Sequence, residues 1–299
     1  MDWQTLEAWF NAAPLWVIGL TQFGAMCVAA YIAMRLRRRR DRSASASEDD
    51  TETHEGYIVS AALGLLALLM GFTFSLAVDR FDTRRALVRE EANAIGTAYF
   101  RAQVLGEPHR SRTTGLLLRY LDNRIALAKA DPGTKQKELF AVNDALIADL
   151  GAATAAAFET IKGFDWSSTY LDTINRVTEL DLTRKVARAA RVPVEIFGVL
   201  VIYMVAAAFV LGYVLHGQVG RFAAGILLGL FTIALVLIID IDRPTGGGVV
   251  DNQLAMELLQ KKLLAQPPAA FDKWRAPPVG AAPLEPAGAS PRVAGRLGR

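Results

Sequence analysis

Few residues in this sequence are equipped for bond-making chemistry. Cys27 is the single cysteine, and His54, His109 and His216 are the only histidines among 299 residues, each far from the others. That stock, at those spacings, assembles neither a Cys-rich nor a histidine-ligated metal site, so no metal and no cofactor is expected. Gly246 to Gly248 is the one glycine run, and no Lys-Ser or Lys-Thr follows it. A phosphate-cradling turn needs a strand before it and a helix after it, and a flexible turn is the better reading. No serine sits in a nucleophile elbow, and enzyme activity is not expected. The pattern with functional content is apolar. Gly64, Leu68, Phe72 and Leu76 follow one another at i+4, with Gly71 and Ser75 on the adjacent side. In a helix such residues stack on one face. A ring of these helices makes a pore constricted at Leu68 and Phe72, where a narrow dewetted throat gates ions without charged side chains. The same face also suits lipid. Leu66 lies about 200° round the helix from Leu68 and points elsewhere, so Leu66→Ala is expected to do little.

Those positions need a membrane helix to hold them, and the sequence supplies four candidates. Leu15 to Met34, Tyr57 to Val78, Ile196 to Leu215 and Phe222 to Ile239 each run for 18 or more residues without Asp, Glu, Lys or Arg. Each is long enough to cross a bilayer as a helix, the conformation that pairs every peptide group within its own segment. A composition 52% hydrophobic and 21% charged, with mean hydropathy +0.25, excludes an ordinary soluble enzyme. A net charge of +3 does not point to nucleic acid. Trp3, Trp9 and Trp16 suit an interfacial belt at the start of the first span. In the fourth span Gly225 and Gly229 form a small-xxx-small pair that allows two helices to approach closely.

Between the second and third spans lie 115 residues, Asp79 to Pro193. Apolar residues recur there at three and four, and no strand pattern is present. Phe81, Val88, Ala92, Ile95, Tyr99 and Ala102 continue the second span as one stripe, so that helix is predicted to project well beyond the membrane. Gly106 and Pro108 end it. A second helix runs to Asp131-Pro132-Gly133, a third stops at Gly163, and a fourth starts near Asp165, a candidate N-cap, and reaches Pro193. Asp79-Arg80-Phe81-Asp82, with Arg84, Arg85 and Arg89, forms either a vestibule that attracts anions or a solvated interfacial cluster.

The expected fold is therefore all-α: an integral membrane protein with four transmembrane helices and an inserted helical domain. Residues 1–34 hold the N-terminus and first span, 35–56 a solvated charged linker, 57–78 the second span, 79–193 the extramembrane helices and 194–239 the last two spans. Residues 240–266 carry a post-span motif and a short helix. Residues 267–299, rich in Pro, Ala, Gly and Arg, are expected to be disordered, because they hold too little apolar side chain to offset ordering entropy.

Gly71-Phe72, six residues, then Asp79-Arg80-Phe81 and a long polar helix resemble the second-helix signature of the bestrophins, in which Gly-Phe is followed at this spacing by Asp-Arg-Trp. Glu90-Glu91-Ala92-Asn93-Ala94-Ile95-Gly96 and the later Asp242-Arg243-Pro244-Thr245-Gly246 resemble a bestrophin-like bacterial membrane domain family of unassigned function. The resemblance covers residues 55–260. It implies a pentameric, chloride-permeable channel whose neck phenylalanine corresponds to Phe72, with Leu68 one turn earlier. Gly64 stands at the next neck position and cannot constrict anything. Asp240 and Asp242 alone do not make the six to eight oxygen ligands of a calcium site, so calcium gating is not implied. The expectation is a homo-oligomeric anion channel of a bacterial inner membrane, with lipid and anions as partners and no nucleic acid. The alternative is a membrane-anchored helical scaffold or sensor without transport activity.

Overall fold

A computed structural model describes residues 13–41, 49–130, 133–215, 217–244, 247–249 and 251–273. Among these residues the chain is helical, with no strand. The elements are α1 (Leu15–Asp41), α2 (Asp49–Ala102), α3 (His109–Lys129), α4 (Thr134–Ile161), α5 (Ser167–Ala189), α6 (Val194–Val214), α7 (Gly217–Asp242) and α8 (Leu254–Ala265), followed by a 3-10 turn, Pro268–Asp272.

Helix α2 organises the rest. At 1.5 Å per residue its 54 residues extend about 80 Å, well over twice the hydrocarbon thickness of a bilayer. Its N-terminal half packs with α1, α6 and α7 into one apolar core, which includes Leu66, Met70, Ala77, Met204, Leu211 and Leu235. Its C-terminal half packs with α3, α4, α5 and α8 into a second core around Tyr99, Tyr120 and Tyr170. The stripe expected from periodicity is buried: Val88, Ala92, Ile95, Tyr99 and Ala102 all lie inside. One seam, with residues spaced at three and four, therefore serves two cores in turn.

Five helical stretches, not four, are long and apolar enough to cross a membrane: Leu15–Arg40, Gly56–Ala102, Thr134–Ile161, Ser167–Val214 and Gly217–Asp242. The addition is α4. Its Ala- and Leu-rich sequence raises its hydropathy, and it buries Leu146, Leu150, Ala157 and Ile161 in the second core.

Several boundaries differ from the sequence reading. Arg35 to Arg40 continue α1 as helix rather than opening a linker, with Arg35, Arg38, Arg39 and Arg40 exposed. They lie along a tyrosine surface: Arg35 Nε donates to Tyr31 Oη at 2.8 Å, and Arg40 Nη1 donates to Tyr213 Oη at 2.9 Å. Basic residues in the last turn of a helix also complement its macrodipole. The N-cap of α5 is Trp166 rather than Asp165. Helix order also extends past Pro267, where disorder was expected to begin. Phe271 of the 3-10 turn packs edge-on against Tyr99 and Phe100, and Arg110 grips both oxygens of Asp272 at 2.6 and 3.1 Å. One aromatic ring and one bidentate ion pair hold this short segment despite its low apolar content. Residues 274–299, with Trp3, Trp9 and Gly246, lie outside the described residues.

Within the protomer, close helix approach falls at a different glycine. No neighbouring atom lies within 4 Å of where a Cβ would stand at Gly225 or Gly229. Instead α6 meets α1 at Gly212, where a Cβ would lie 2.3 Å from the Ala30 carbonyl oxygen. Spacing identifies small residues; helix rotation decides which of them meet a backbone.

Candidate functional site

The membrane half of α2 has two unlike faces. Leu66, Met70, Thr73 and Ala77 are buried against the other apolar helices, whereas Leu68 is 52% exposed and Phe72 63% exposed. Gly64 and Gly71 are exposed on the same side, with no neighbour near a Cβ position. Ser75, Leu76 and Asp79 extend this open face toward the helical domain. Periodicity thus placed Leu68 and Phe72 together correctly. Leu66, however, is fully buried rather than idle. Truncating it removes core packing, at a cost of about 2–5 kcal/mol, which disqualifies Leu66→Ala as a neutral control.

Where the two cores meet, the charged run divides: Asp79, Asp82, Arg85 and Arg89 are exposed, and Arg84 turns inward. Arg84 is 4% exposed. Its Nη2 donates to the Ile241 carbonyl oxygen at 2.9 Å and its Nη1 to that of Asp242 at 3.4 Å. Two carbonyls left without partners at the end of α7 are thereby satisfied by a cation at the negative end of the helix. Nε of Arg84 lies 3.5 Å from Asp251 Oδ2, and the guanidinium sits over the Phe81 ring, 5.9 Å from its centroid. Asp242 Oδ1 accepts a hydrogen bond from the Val192 backbone amide at 3.0 Å, fastening the end of α7 to the α5–α6 connection. Asp240 Oδ1 accepts from the Gly248 amide at 2.8 Å. A Cβ at Gly247 would stand 2.1 Å from that same carboxylate oxygen, so a larger residue there would displace the Asp240 side chain.

Two turns beyond Arg84 along the seam, Glu91 is completely buried. It accepts hydrogen bonds from the Tyr120 hydroxyl, from Arg184 and from Arg124, whose Nη2 is 3.2 Å from Oε2. Arg124 Nη1 is also 3.4 Å from Asp181 Oδ1, to which Asn143 Nδ2 donates at 2.8 Å. Lys185 Nζ joins Asp181 at 2.6 Å and Asp144 at 2.5 Å. Burial, reinforced by the Glu91 charge, pushes the Tyr120 hydroxyl well above its ordinary value, so it acts as a donor. The Lys185 ammonium draws the Asp144 carboxyl below its ordinary value. The cluster ties α2, α3, α4 and α5 together through charge-assisted bonds.

A family profile described as a bestrophin-like domain matches residues 24–250. The chain belongs to the bestrophin-like family. Its fold recurs in crystal structures of a bacterial bestrophin homologue from Klebsiella pneumoniae. One point variant superposes with TM-score 0.63 at 15% identity, covering 85% of this chain and 98% of that one. The structure of that homologue solved by zinc anomalous phasing gives 0.59 at 15% identity over 82% and 97%. Among curated proteins none matches the chain. In this bestrophin-like protein the signature residues thus divide by position. Gly71 and Phe72 are on the open face of α2, and Asp79 is exposed below them. Phe81 packs against the membrane core and Ala92 against the second core. Arg80 is half-buried at the junction, Glu91 holds the arginines of the domain, and Asp242 and Pro244 are buried where α7 ends.

The sequence reading missed Arg84 as a buried cap and overlooked Arg124, Asp181 and Arg184 altogether. A signal for two of the positions existed. Met70, Thr73, Ala77, Arg84, Val88, Glu91 and Ile95 share one seam at spacings of three, four and seven, so a charge at 84 or 91 had to be buried with a partner.

Proposed function

We propose that this protein is a homo-oligomeric anion channel of a bacterial inner membrane, with four spans and an inserted helical domain, and with its narrowest point at Leu68 and Phe72. The observation that carries this reading is the open face of α2. A large aromatic and a leucine stand unpacked in the protomer, one turn apart, on the helix that links both cores. Helix α7 presents an exposed apolar stripe that suits lipid, including Phe222, Ile226, Leu230, Ile233 and Leu237. The α2 face instead passes from Gly64 through Leu68 and Phe72 to Ser75 and Asp79, from apolar throat to polar exit. Channel activity in bestrophins, inferred from the shared family, fits that sequence of side chains. Helix α4 is assigned to the extramembrane domain because Lys135, Lys137, Glu138, Asp144, Asp149 and Glu159 are distributed along it and its inner face supplies Asn143 to a polar network.

Chloride efflux from proteoliposomes at matched protein incorporation tests the reading. Phe72→Ala and Leu68→Ala are expected to raise efflux, Phe72→Ala on the order of tenfold, equivalent to about 1.4 kcal/mol of barrier. Both side chains are exposed in the protomer, so neither truncation empties a core. Leu230→Ala, on the lipid stripe of α7, is the matched control and is expected to leave efflux unchanged. No efflux from wild type or from Phe72→Ala, with oligomers verified, sinks the channel and leaves the scaffold reading.

Self-association is the separate requirement. The small residues and exposed apolar seams of α2 are more than one protomer covers, and closed cyclic assembly covers them symmetrically. Light scattering with detergent correction is expected to return an oligomer at every concentration. A monomer throughout removes the shared pore.

A further inference from the structure

A second feature lies inside each protomer, away from the open face of α2. Arg84, Arg124, Arg184, Lys185, Arg188 and Asp251 are among the walls of a cavity of about 40 Å³ between α2, α3, α5 and the segment after α7. At roughly 10–15 Å³ for each water, that is room for about three waters or one small oxyanion. From behind the wall Glu91 pairs with Arg124 and Arg184, and Asp181 with Arg124 and Lys185. Arg188 has no such partner. Its Nη2 is buried without a hydrogen bond, its guanidinium lies over the Phe140 ring at 5.8 Å, and the neighbouring charges that face it include Arg84, Arg124 and Arg184 against Asp251. Arg84, 4% exposed, leaves its Nε without a hydrogen bond, with only the 3.5 Å ionic contact to Asp251. A buried guanidinium among like charges is costly unless an anion completes it.

We propose that this cavity binds a phosphate group, held chiefly by Arg188 and Arg84, one per protomer. Guanidinium forks match the oxygen spacing of phosphate and bind it in two-pronged fashion. Asp251 is the one carboxylate among the lining residues. Burial raises its carboxyl above its ordinary value, against the pull of the surrounding arginines. Pro244, just beyond α7, also lines the cavity. A phosphate there bridges the helical domain to the end of the last apolar helix. The group is either inorganic phosphate or the headgroup of a phospholipid, since the cavity lies where the two cores meet. This site does not depend on whether α2 conducts.

Equilibrium dialysis of the delipidated full-length protein in detergent, with radiolabelled inorganic phosphate, is expected to give one phosphate per protomer. Arg188→Gln is expected to weaken binding about tenfold or more, the loss of a charge-assisted bond, while Arg176→Gln on the surface leaves it unchanged. Arg188 forms no ion pair among the described residues, so Arg188→Gln removes only its stacking over the Phe140 ring from the contacts that hold the domain. Wild-type protein alone supplies an independent measurement: inorganic phosphate is expected to slow phenylglyoxal modification of Arg188, read by mass spectrometry, and to leave Arg176 unaffected. If inorganic phosphate fails in both assays, native mass spectrometry with short-chain phosphatidic acid decides between the sources, and an adduct lost in Arg188→Gln assigns the site to a headgroup. Absence of both, or equal binding by wild type and Arg188→Gln, overturns the proposal.

Discussion

Glu91→Gln is expected to destabilise the helical domain by about 3–5 kcal/mol, the cost of removing one member of a buried ionic cluster. The effect is large because the carboxylate is completely buried and bonded to Tyr120, Arg124 and Arg184 from two different helices. A glutamine keeps the shape and loses the charge, so two guanidiniums remain in a low-dielectric interior with only Asp181 to share. Each unpaired cation costs more than the pair contributed. Thermal unfolding in detergent, together with limited proteolysis of α3 to α5, measures the loss. A cost below about 1 kcal/mol would mean that the cluster is effectively solvated. A triple replacement, Glu91→Met with Arg124→Met and Arg184→Met, is expected to recover much of the stability, because buried ion clusters replaced whole by apolar side chains are often no less stable.

Gly212→Val is expected to prevent stable folding of the membrane half, and Gly212→Ala to cost about 1–3 kcal/mol as overpacking. At this crossing a Cβ would lie 2.3 Å from the carbonyl oxygen, 2.5 Å from Cα and 2.8 Å from the carbonyl carbon of Ala30. The obstacle is backbone, which no rotamer change relieves. Helices α1 and α6 would have to separate, losing the packing around Met26, Ala30, Ala208 and Leu211. In a membrane that packing, not apolar burial from water, holds helices together. Gly225→Ala is the comparison. Nothing stands within 4 Å of its Cβ position in the protomer, and alanine's better helix propensity makes the change neutral or stabilising by up to about 1 kcal/mol. Fluorescence-detected size-exclusion profiles and unfolding midpoints of the three variants report the outcome. Equal behaviour of Gly212→Ala and Gly225→Ala would show that α1 and α6 do not approach as described.

Much of the architecture follows from local pattern. An uncharged run such as Tyr57 to Val78 must pair its own peptide groups in lipid, which makes it helical whatever surrounds it. The recurrence of Val88, Ala92, Ile95, Tyr99 and Ala102 puts them on one face because a helix turns 100° per residue, and that face is buried. The same geometry aligned Leu68 with Phe72. Periodicity names a face without naming what covers it, so Leu66 reads as a position tolerant of truncation and Gly225 as a contact point. Leu66 is instead in the core, and Gly225 has no neighbour within the protomer. Hydropathy likewise cannot tell a helix buried in protein from one buried in lipid, which is why α4 passes the test of a span while packing in the second core. The polar junction lay furthest from reach. Arg84 meets Ile241 and Asp251, and Glu91 meets Tyr120, Arg124 and Arg184. Partners so distant in the chain are chosen by the rotation and register of whole helices, quantities set by how two cores pack around α2 and encoded in no local stretch of residues.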